Sequence, residues 1–264
     1  MLEIKNVSKT FNAGTVNEKK VLSGLDLTLK DGEFVTVIGG NGAGKSTMLN
    51  MVAGLYPVDD GNIVIDGIDV TKLPEYKRAK YIGRVFQDPR MGTATDMWVE
   101  ENMAIADRRG KTRNLKWSIS KKDRERYKSE LAQLDLGLED RLSVKMGLLS
   151  GGQRQAVTLL MATLQKPKIL LLDEHTAALD PKTAAKVLEI TEKLISENNL
   201  TALMVTHNMK DAIAYGNRLI MMNAGKIIID VSGEEKKKLT VEALLAEFSR
   251  ASGTEFANDR TLLS

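Results

Sequence analysis

The sequence has 264 residues, of which 42% are hydrophobic and 28% charged, with a formal net charge of +3 and no cysteine. These values are typical of a globular protein with a sizeable buried core, and they exclude disulfides and thiolate metal sites. The small net charge argues against a dedicated nucleic-acid binder, which is usually more basic. The first residues lack the charged-then-apolar pattern of a signal peptide, and the apolar runs are far shorter than the roughly 18 residues that span a bilayer. We therefore expect any membrane role to depend on another polypeptide.

The first third of the sequence predicts several strands around one helix. Two segments alternate apolar and polar residues, as half-buried strands do, and a third, which ends at Ile38, is continuously apolar. A glycine-rich turn and a helical pattern follow it, and the later pair Asp66-Gly67 is typical of a hairpin turn. We predict strands over 2–7, 21–29, 33–38 and 62–65, and a helix over 45–53.

The rest of the sequence changes character twice. Residues from about 96 to 164 contain charged, helix-forming segments such as 124–134, which predicts a helical insertion. Strands that alternate with helices then resume, and this alternation predicts an α/β fold around a mostly parallel sheet. The predicted elements are strands over 169–172 and 202–206, a helix over 181–198, and a terminal hairpin over 219–222 and 227–231.

The segment from 232 to 264 is polar, and we predict that it forms a peripheral tail. Four of its apolar residues share one helical face, which we expect to pack on the body of the protein rather than on a membrane. These residues are Val241, Leu244, Leu245 and Phe248.

A phosphate-binding motif follows the apolar strand that ends at Ile38. It has the form G-x-x-x-x-G-K-[ST] and lies between a predicted strand and a predicted helix, which is the context that the motif requires. Glycines let backbone N–H groups surround phosphate oxygens, the helix N-terminus adds partial positive charge, Lys45 reaches the terminal phosphates and the Ser46 hydroxyl binds Mg²⁺. A flexible glycine turn is the alternative that this context disfavours. The motif residues are Gly39, Gly40, Asn41, Gly42, Ala43, Gly44, Lys45, Ser46 and Thr47.

A second strand ends in two carboxylates, Asp173 and Glu174. We expect Asp173 to bind Mg²⁺ through water and Glu174 to polarise the water that attacks the phosphate. A general base of this kind typically contributes about 10²- to 10⁴-fold to the rate. An apolar run that ends in Asp-Glu is a weak signal alone, but it becomes a strong one after a phosphate-binding loop.

A glycine-rich helix start lies about twenty residues before the acidic strand. Its hydroxyl, two glycines and helix N-terminus could bind phosphate by themselves, or they could simply cap a helix. Here the sequence resembles the ATP-binding cassette, or ABC, family, in which this signature contacts the γ-phosphate held by the opposite subunit. The signature residues follow Leu149 and are Ser150, Gly151, Gly152 and Gln153.

The resemblance implies roles for four more residues. Gln87 is similar to the family glutamine that binds Mg²⁺ and senses the γ-phosphate, and Asp180 to an aspartate that faces the partner subunit. His207 is similar to the switch histidine, with a structural histidine as the alternative. Phe11 stands where the family has an aromatic residue that stacks on adenine, although it could also be a core residue. With Glu174, the residues His207 and Gln87 complete the predicted catalytic set.

The resemblance covers roughly residues 2 to 231, with seven motifs in the family order. It implies a P-loop NTPase core with a mostly parallel sheet, an antiparallel β subdomain and the inserted helical subdomain at about 96–164. The predicted ATPase domain is therefore 1–231. One departure is His175, where the family usually has proline after the catalytic glutamate. We expect His175 to be a local variant rather than a metal ligand.

A basic stretch lies within the predicted helical insertion. Residues 107–128 contain ten basic and three acidic side chains. Nucleic acid or anionic lipid could bind such a stretch, but we favour a solvated face of the helical subdomain.

The leading hypothesis is an ATP-hydrolysing subunit of a membrane transporter that takes up a small solute, with aromatic amino acids as one candidate class. The cofactors would be ATP and Mg²⁺, and two such subunits would form a homodimer. The implied partners are separate transmembrane permease subunits and, for an importer, a substrate-binding protein, with no nucleic acid. The subunit would then lie at the cytoplasmic face of the membrane. The alternative is an ABC ATPase without a membrane partner, such as one for iron–sulfur assembly.

Overall fold

The computed structural model describes residues 1–111 and 119–252, and within these ranges ten strands form two sheets. The strands are β1 (Leu2–Phe11), β2 (Lys19–Leu29), β3 (Phe34–Ile38), β4 (Asp60–Ile65), β5 (Ile68–Asp69), β6 (Ile82–Val85), β7 (Ile169–Asp173), β8 (Ala202–Val205), β9 (Arg218–Asn223) and β10 (Lys226–Ser232). The helices are α1 (Lys45–Ala53), α2 (Glu75–Arg78), α3 (Val99–Asp107), α4 (Lys121–Ala132), α5 (Gly151–Thr163), α6 (Pro181–Glu197), α7 (Met209–Ala214), α8 (Gly233–Lys237) and α9 (Val241–Ser252).

The larger sheet has the strand order β10-β9-β3-β8-β7-β6. Five of its strands are parallel, and the edge strand β10 pairs antiparallel, as the second strand of a hairpin with β9. The register sets Val37 and Asp173 on either side of Val205. The carboxyl ends of three neighbouring strands therefore meet at one edge of the sheet, the place where parallel α/β sheets bind ligands.

The smaller sheet is antiparallel, with the order β2-β1-β4-β5. The predicted class, an α/β fold with a mostly parallel sheet and an antiparallel β subdomain, is confirmed. The boundary between 231 and the tail, and the limits of the helical insertion, stay predictions. None of the described helices combines the length and the apolar character that a membrane span requires.

Successive side chains of the central strands point to opposite faces of the larger sheet, so the core has two layers. On β7, Leu170 and Leu172 pack into a cluster with helices α3 to α6, while Ile169 and Leu171 pack into a second cluster with α1 and the antiparallel sheet. Both faces of the larger sheet are therefore covered, which explains why β3 and β7 are apolar runs without polar alternation.

The predicted apolar face of the tail packs on the body. Leu244 and Phe248 of α9 are buried in one cluster with Met209 of α7 and with residues of β9, and Val241 and Leu245 lie at the margin of the same cluster. The prediction that this face packs on the protein is thus confirmed.

β1 and β6 are among the strands that differ from the sequence prediction. β1 continues four residues past Val7, because Thr10 and Phe11 pair with the start of β2 although the segment is polar. β6 was not predicted as a strand, since its four residues include Gly83 and Arg84. Gly83 is required there, because a Cβ at this position would lie 2.6 Å from the carbonyl oxygen of Ala162 on α5.

Candidate active site

The glycine-rich loop joins β3 to α1 at the carboxyl edge of the larger sheet. Gly39 has φ +148°, and a Cβ there would lie 2.2 Å from the Met222 carbonyl oxygen. Gly44, with φ +100°, precedes the first turn of α1 and has no room for a side chain beside Leu22. Both the positive φ angles and the lack of room for a side chain therefore require glycine at positions 39 and 44. The loop presents backbone N–H groups just before the N-terminus of α1.

Lys45 is the first residue of α1 and is almost fully buried. Its Nζ donates hydrogen bonds to the carbonyl oxygens of Gly39, at 2.6 Å, and Gly40, at 3.2 Å. Burial lowers the pKa of Lys45, while the negative charges of Glu174 and Asp173 oppose that shift. The buried cation is thus held at the loop, and an exposed serine follows it in the first turn of the helix.

Glu174 stands directly beyond β7 in a left-handed conformation, with φ +48°. Its N–H donates to the Val205 carbonyl oxygen, which fixes this backbone geometry. Its Oε1 lies 2.6 Å from Nε2 of His207, which follows the neighbouring strand β8. Non-glycine residues held at positive φ typically cost about 1–3 kcal/mol and are concentrated at functional sites. The bend places the carboxylate against the histidine across the strand ends.

Sequence reasoning missed Arg84, which lies close to Asp173, and Asn50, which is bonded to Arg84. Arg84 Nη2 donates to the Asn50 side-chain oxygen at 2.6 Å and lies 3.7 Å from Asp173 Oδ2. Burial raises the pKa of Asp173, and the Arg84 guanidinium limits that rise. The one sequence signal for Arg84 was its position three residues before Gln87. This position does not place Arg84 near Asp173 until β6 is known to pair with β7.

Gln87 lies exposed, two residues beyond the end of β6. The preceding residue, Phe86, accepts a hydrogen bond through its carbonyl oxygen from Nε2 of the fully buried Gln155 on α5, at 3.2 Å. The helix that begins at the signature is therefore bonded to the segment that carries Gln87.

The signature forms the N-terminus of α5, as the resemblance implies. Ser150 Oγ accepts from the Gln153 N–H, and the Gln153 side chain accepts from the Ser150 N–H, both at 3.3 Å. Ser150 and Gly151 are exposed, whereas Gly152 is buried, and a Cβ on Gly152 would lie 2.1 Å from Thr183 Cγ2. A capped helix start with exposed N–H groups is able to bind an anion.

Asp180 caps the neighbouring helix α6. Its carboxylate accepts from the Thr183 N–H at 3.1 Å, which holds the pKa of Asp180 below its usual range. Because Thr183 also packs against Gly152, the aspartate turn and the signature are neighbours. The structure therefore forms two groups of predicted residues, one around Lys45 and Glu174 and one around the signature and Asp180.

Phe11 ends β1 and is partly exposed. Its ring meets the Tyr56 ring edge-on, with 5.3 Å between centroids, and Lys9 Nζ lies 5.6 Å from its centroid. Partial exposure does not suit a plain core residue, so the geometry favours an aromatic surface that remains accessible to a ligand.

His175 is buried and hydrogen-bonded to Thr191 Oγ1 of α6 at 3.0 Å. Burial lowers its pKa to about 4, so the imidazole is neutral at neutral pH. Among the described residues, no group of His, Cys, Asp and Glu side chains is arranged to hold a metal ion. A packed, hydrogen-bonded histidine agrees with the interpretation of His175 as a local variant.

Four of the eight described basic residues of the basic stretch form ion pairs within the domain. Its ion pairs join Arg124 to Glu100, Arg126 and Lys111 to Asp107, and Lys128 to Asp140. Two further basic residues of the stretch, Arg113 and Lys116, lie outside the described residues. Ion pairs within the domain favour a solvated structural face over a nucleic-acid or lipid surface.

Comparison with known proteins agrees with this geometry. The family model for ABC transporters matches residues 22–177. The tyrosine transport ATP-binding protein of Clostridioides difficile is 47% identical over 251 residues, which cover 95% of this chain and 100% of that protein. The chain belongs to the ABC transporter ATPase family. Like other ABC cassettes it is an ATP-binding ATPase.

Further relatives of this ABC cassette support the assignment. The spermidine/putrescine import ATP-binding protein PotA of Haemophilus ducreyi is 34% identical over 94% of the chain, which spans only 64% of that protein. A dimeric ABC cassette bound to ADP and phosphate after hydrolysis has a TM-score of 0.74 and 32% identity, over 88% of this chain and 98% of its own. The ADP form of another cassette has a TM-score of 0.77 and 27% identity, over 95% and 98%.

Proposed function

We propose that this cassette is the ATP-hydrolysing subunit of a transporter that imports an aromatic amino acid. The observation that carries the enzymatic part is the juxtaposition of Glu174, His207 and Lys45 at the carboxyl edge of the sheet. The 47% identity with a tyrosine transport ATP-binding protein over its whole length supports the solute class. The relatives described above are transport proteins, which favours this function over iron–sulfur assembly.

The residues around Asp173 fit a magnesium ion. Mg²⁺ prefers oxygen ligands and usually takes one or two carboxylates together with substrate phosphates and water. Asp173 is a half-buried carboxylate whose ionised form is disfavoured by burial, so a bound cation would stabilise it. Ser46, Gln87 and Asp173 would hold the ion, and its chemistry would be to neutralise charge on the β- and γ-phosphates.

Hydrolysis then follows from the arrangement of the protein groups. The loop N–H groups and Lys45 bind the phosphates of ATP, with the other loop residues in contact with the same oxygens. Glu174 would orient and polarise the attacking water. His207, whose Nε2 lies 2.6 Å from Glu174 Oε1, would contact the γ-phosphate. Phe11 stacks on the adenine ring. The products are ADP and phosphate.

The signature supplies the other half of each site from a second copy of the chain. The signature residues Ser150, Gly151, Gly152 and Gln153 form a helix N-terminus whose first two residues are exposed, while the Lys45 group lies at the sheet edge. A head-to-tail homodimer brings the two together, with Asp180 beside the interface. The dimeric form of a cassette with 32% identity supports this assembly.

Transport requires partners that this chain does not contain. We propose separate transmembrane permease subunits, docked beside Gln87, and a substrate-binding protein outside the membrane. Closure of the ATP-bound dimer would pull on the permease, and hydrolysis would release it. The cassette would lie peripherally at the cytoplasmic face of the membrane.

Reconstitution tests the whole proposal. The chain, co-expressed with a permease encoded next to it, should copurify with that permease from membranes and drive ATP-dependent uptake of labelled tyrosine into proteoliposomes. Glu174→Gln in the same complex is the matched inactive control. ATPase activity without any membrane partner or uptake would instead support the alternative without a permease.

A further inference from the structure

Lys19 begins β2 and lies directly opposite Phe11 on β1. Side chains of directly opposed residues in an antiparallel pair point to the same face of the sheet. Lys19 is therefore on the same face as the aromatic ring proposed to stack on adenine, while its neighbour Lys20 points to the other face.

The Lys19 ammonium approaches the phosphate-binding loop. A Cβ added at Gly42 would lie 3.9 Å from Lys19 Nζ, and among the described residues no other non-adjacent heavy atom comes within 4 Å of that position. Gly42 is exposed, with φ +79°. The lysine thus stands beside the open side of the loop.

Packing fixes this approach. Two residues further along β2, the Val21 carbonyl oxygen lies against Gly44 and Gly225, and the Leu22 side chain lies against Gly44. The start of β2 is consequently anchored on the loop. The packing fixes the backbone at the start of β2, and this backbone brings Lys19 beside the loop.

Lys19 has no acidic partner within residues 1–111 and 119–252, whereas Lys9 on the adjacent strand pairs with Asp59 at 2.6 Å. Lys45 already places a buried positive charge at the same loop. The Lys45 charge is balanced by Asp173 and Glu174, whereas Lys19 has no such carboxylate beside it among the described residues. The Lys19 charge is therefore available to attract an anion near Gly42.

We propose that Lys19 is a second phosphate-binding cation, which contacts the phosphate chain of the nucleotide from the antiparallel sheet. The proposal rests on the proposed role of the loop in binding ATP. Because Lys19 is exposed, its contribution is modest and sensitive to salt. Loss of one charge-assisted contact at such a site should weaken binding by about threefold to tenfold.

Nucleotide affinity of matched variants tests this. Lys19→Gln should raise the Kd of ADP, and of ATP in the Glu174→Gln background, by about threefold to tenfold in low salt, and the difference should shrink in high salt. Adenosine, measured by competition, should bind both proteins equally because it lacks phosphate. Lys19→Arg should restore nucleotide affinity, and Lys20→Gln should bind as the wild type does.

Equal Kd values for Lys19→Gln and Lys20→Gln would overturn the proposal. A parallel loss of adenosine affinity would also overturn it, since the lysine would then act on the sugar or base. In either case the wild type would still bind ATP, so the role of the loop would stand. A wild type that does not bind ATP would instead refute the proposed function.

Discussion

The two groups of site residues are built in different ways. The loop group is polar and convergent, with Lys45 buried among carbonyl oxygens and Glu174 held against His207 by backbone strain and a 2.6 Å contact. The signature group is an exposed helix start that is satisfied by its own cap, with Ser150 and Gln153 bonded to each other. The first group is preorganised for chemistry, while the second offers only N–H groups and a hydroxyl to an incoming anion.

This contrast indicates that the two groups have different roles in the proposed reaction. The convergent group holds the cation and the carboxylate of the proposed chemistry, whereas the signature contacts α6 and the helical layer. The proposed homodimer would place a γ-phosphate between the two groups. Substitutions can test first the chemistry of one group and then the dependence of each group on the other.

The largest effect is expected at Glu174. Glu174→Gln is nearly isosteric but a poor base, so ATP turnover should fall by about 10²- to 10⁴-fold while ATP still binds. The ATP-bound dimer should then accumulate, as measured by size-exclusion chromatography with Mg-ATP. The exposed Glu189→Gln on α6 is the control and should keep full activity. Near wild-type turnover in Glu174→Gln would refute its role as the base.

Mixed dimers test whether the two groups come from different chains. Lys45→Ala removes the buried phosphate-binding charge, and Ser150→Asp adds a carboxylate at the signature, so each homodimer should be nearly inactive. Mixing the variants creates one intact site per dimer and should restore part of the phosphate release. If turnover needs two intact sites, mixing will not restore phosphate release. Mixed dimers should nevertheless form with ATP when Glu174→Gln is added to both chains. Failure to form them would contradict the shared site.

In the mixed-dimer experiment, Ser150→Asp is a better substitution in the signature than Gly152→Asp. Gly152→Asp, which also adds a carboxylate, would force a side chain into Thr183 and disturb the contact between α5 and α6. Aspartate caps helices about as well as serine does, so Ser150→Asp preserves the fold while it repels phosphate.

Phe11 should have a smaller and purely binding effect. Aromatic stacking is worth about 1–3 kcal/mol per base, so Phe11→Ala should raise the KM for ATP by about 5- to 150-fold with little change in kcat. Phe11→Tyr should behave as the wild type does. Equal KM values in Phe11→Ala and the wild type would show that the adenine platform lies elsewhere.

The smallest expected effect is on stability, at Ser150, and it tests whether this residue only caps α5 or also binds phosphate. Ser150→Ala should cost about 1 kcal/mol of unfolding free energy, because it removes the cap, and thermal melting measures this. Ser150→Asp should melt near the wild-type temperature yet lose ATPase activity. If Ser150→Asp retained both, the signature would be only a capped helix start in this protein.

The sequence alone was enough to locate the motifs and to predict the strand or helix next to each one. The loop between β3 and α1, the acidic end of β7 and the capped start of α5 each depend on a few consecutive residues, so periodicity and motif chemistry were enough to predict them. The packing of the α9 face was also predictable, because amphipathic periodicity shows which residues must be covered.

Tertiary structure decided what these motifs lie beside. Arg84 meets Asp173 only because β6 pairs in parallel with β7, a strand far away in the sequence. Lys19 reaches the phosphate-binding loop only because β2 is anchored there, and His207 meets Glu174 only because β8 lies next to β7. Strand order in a parallel sheet is set by long-range packing of two buried faces, and an apolar strand carries no local record of its neighbours. For that reason the chemistry of each motif was readable from the sequence, whereas the contact of Arg84 with Asp173 and the approach of Lys19 to the loop were not.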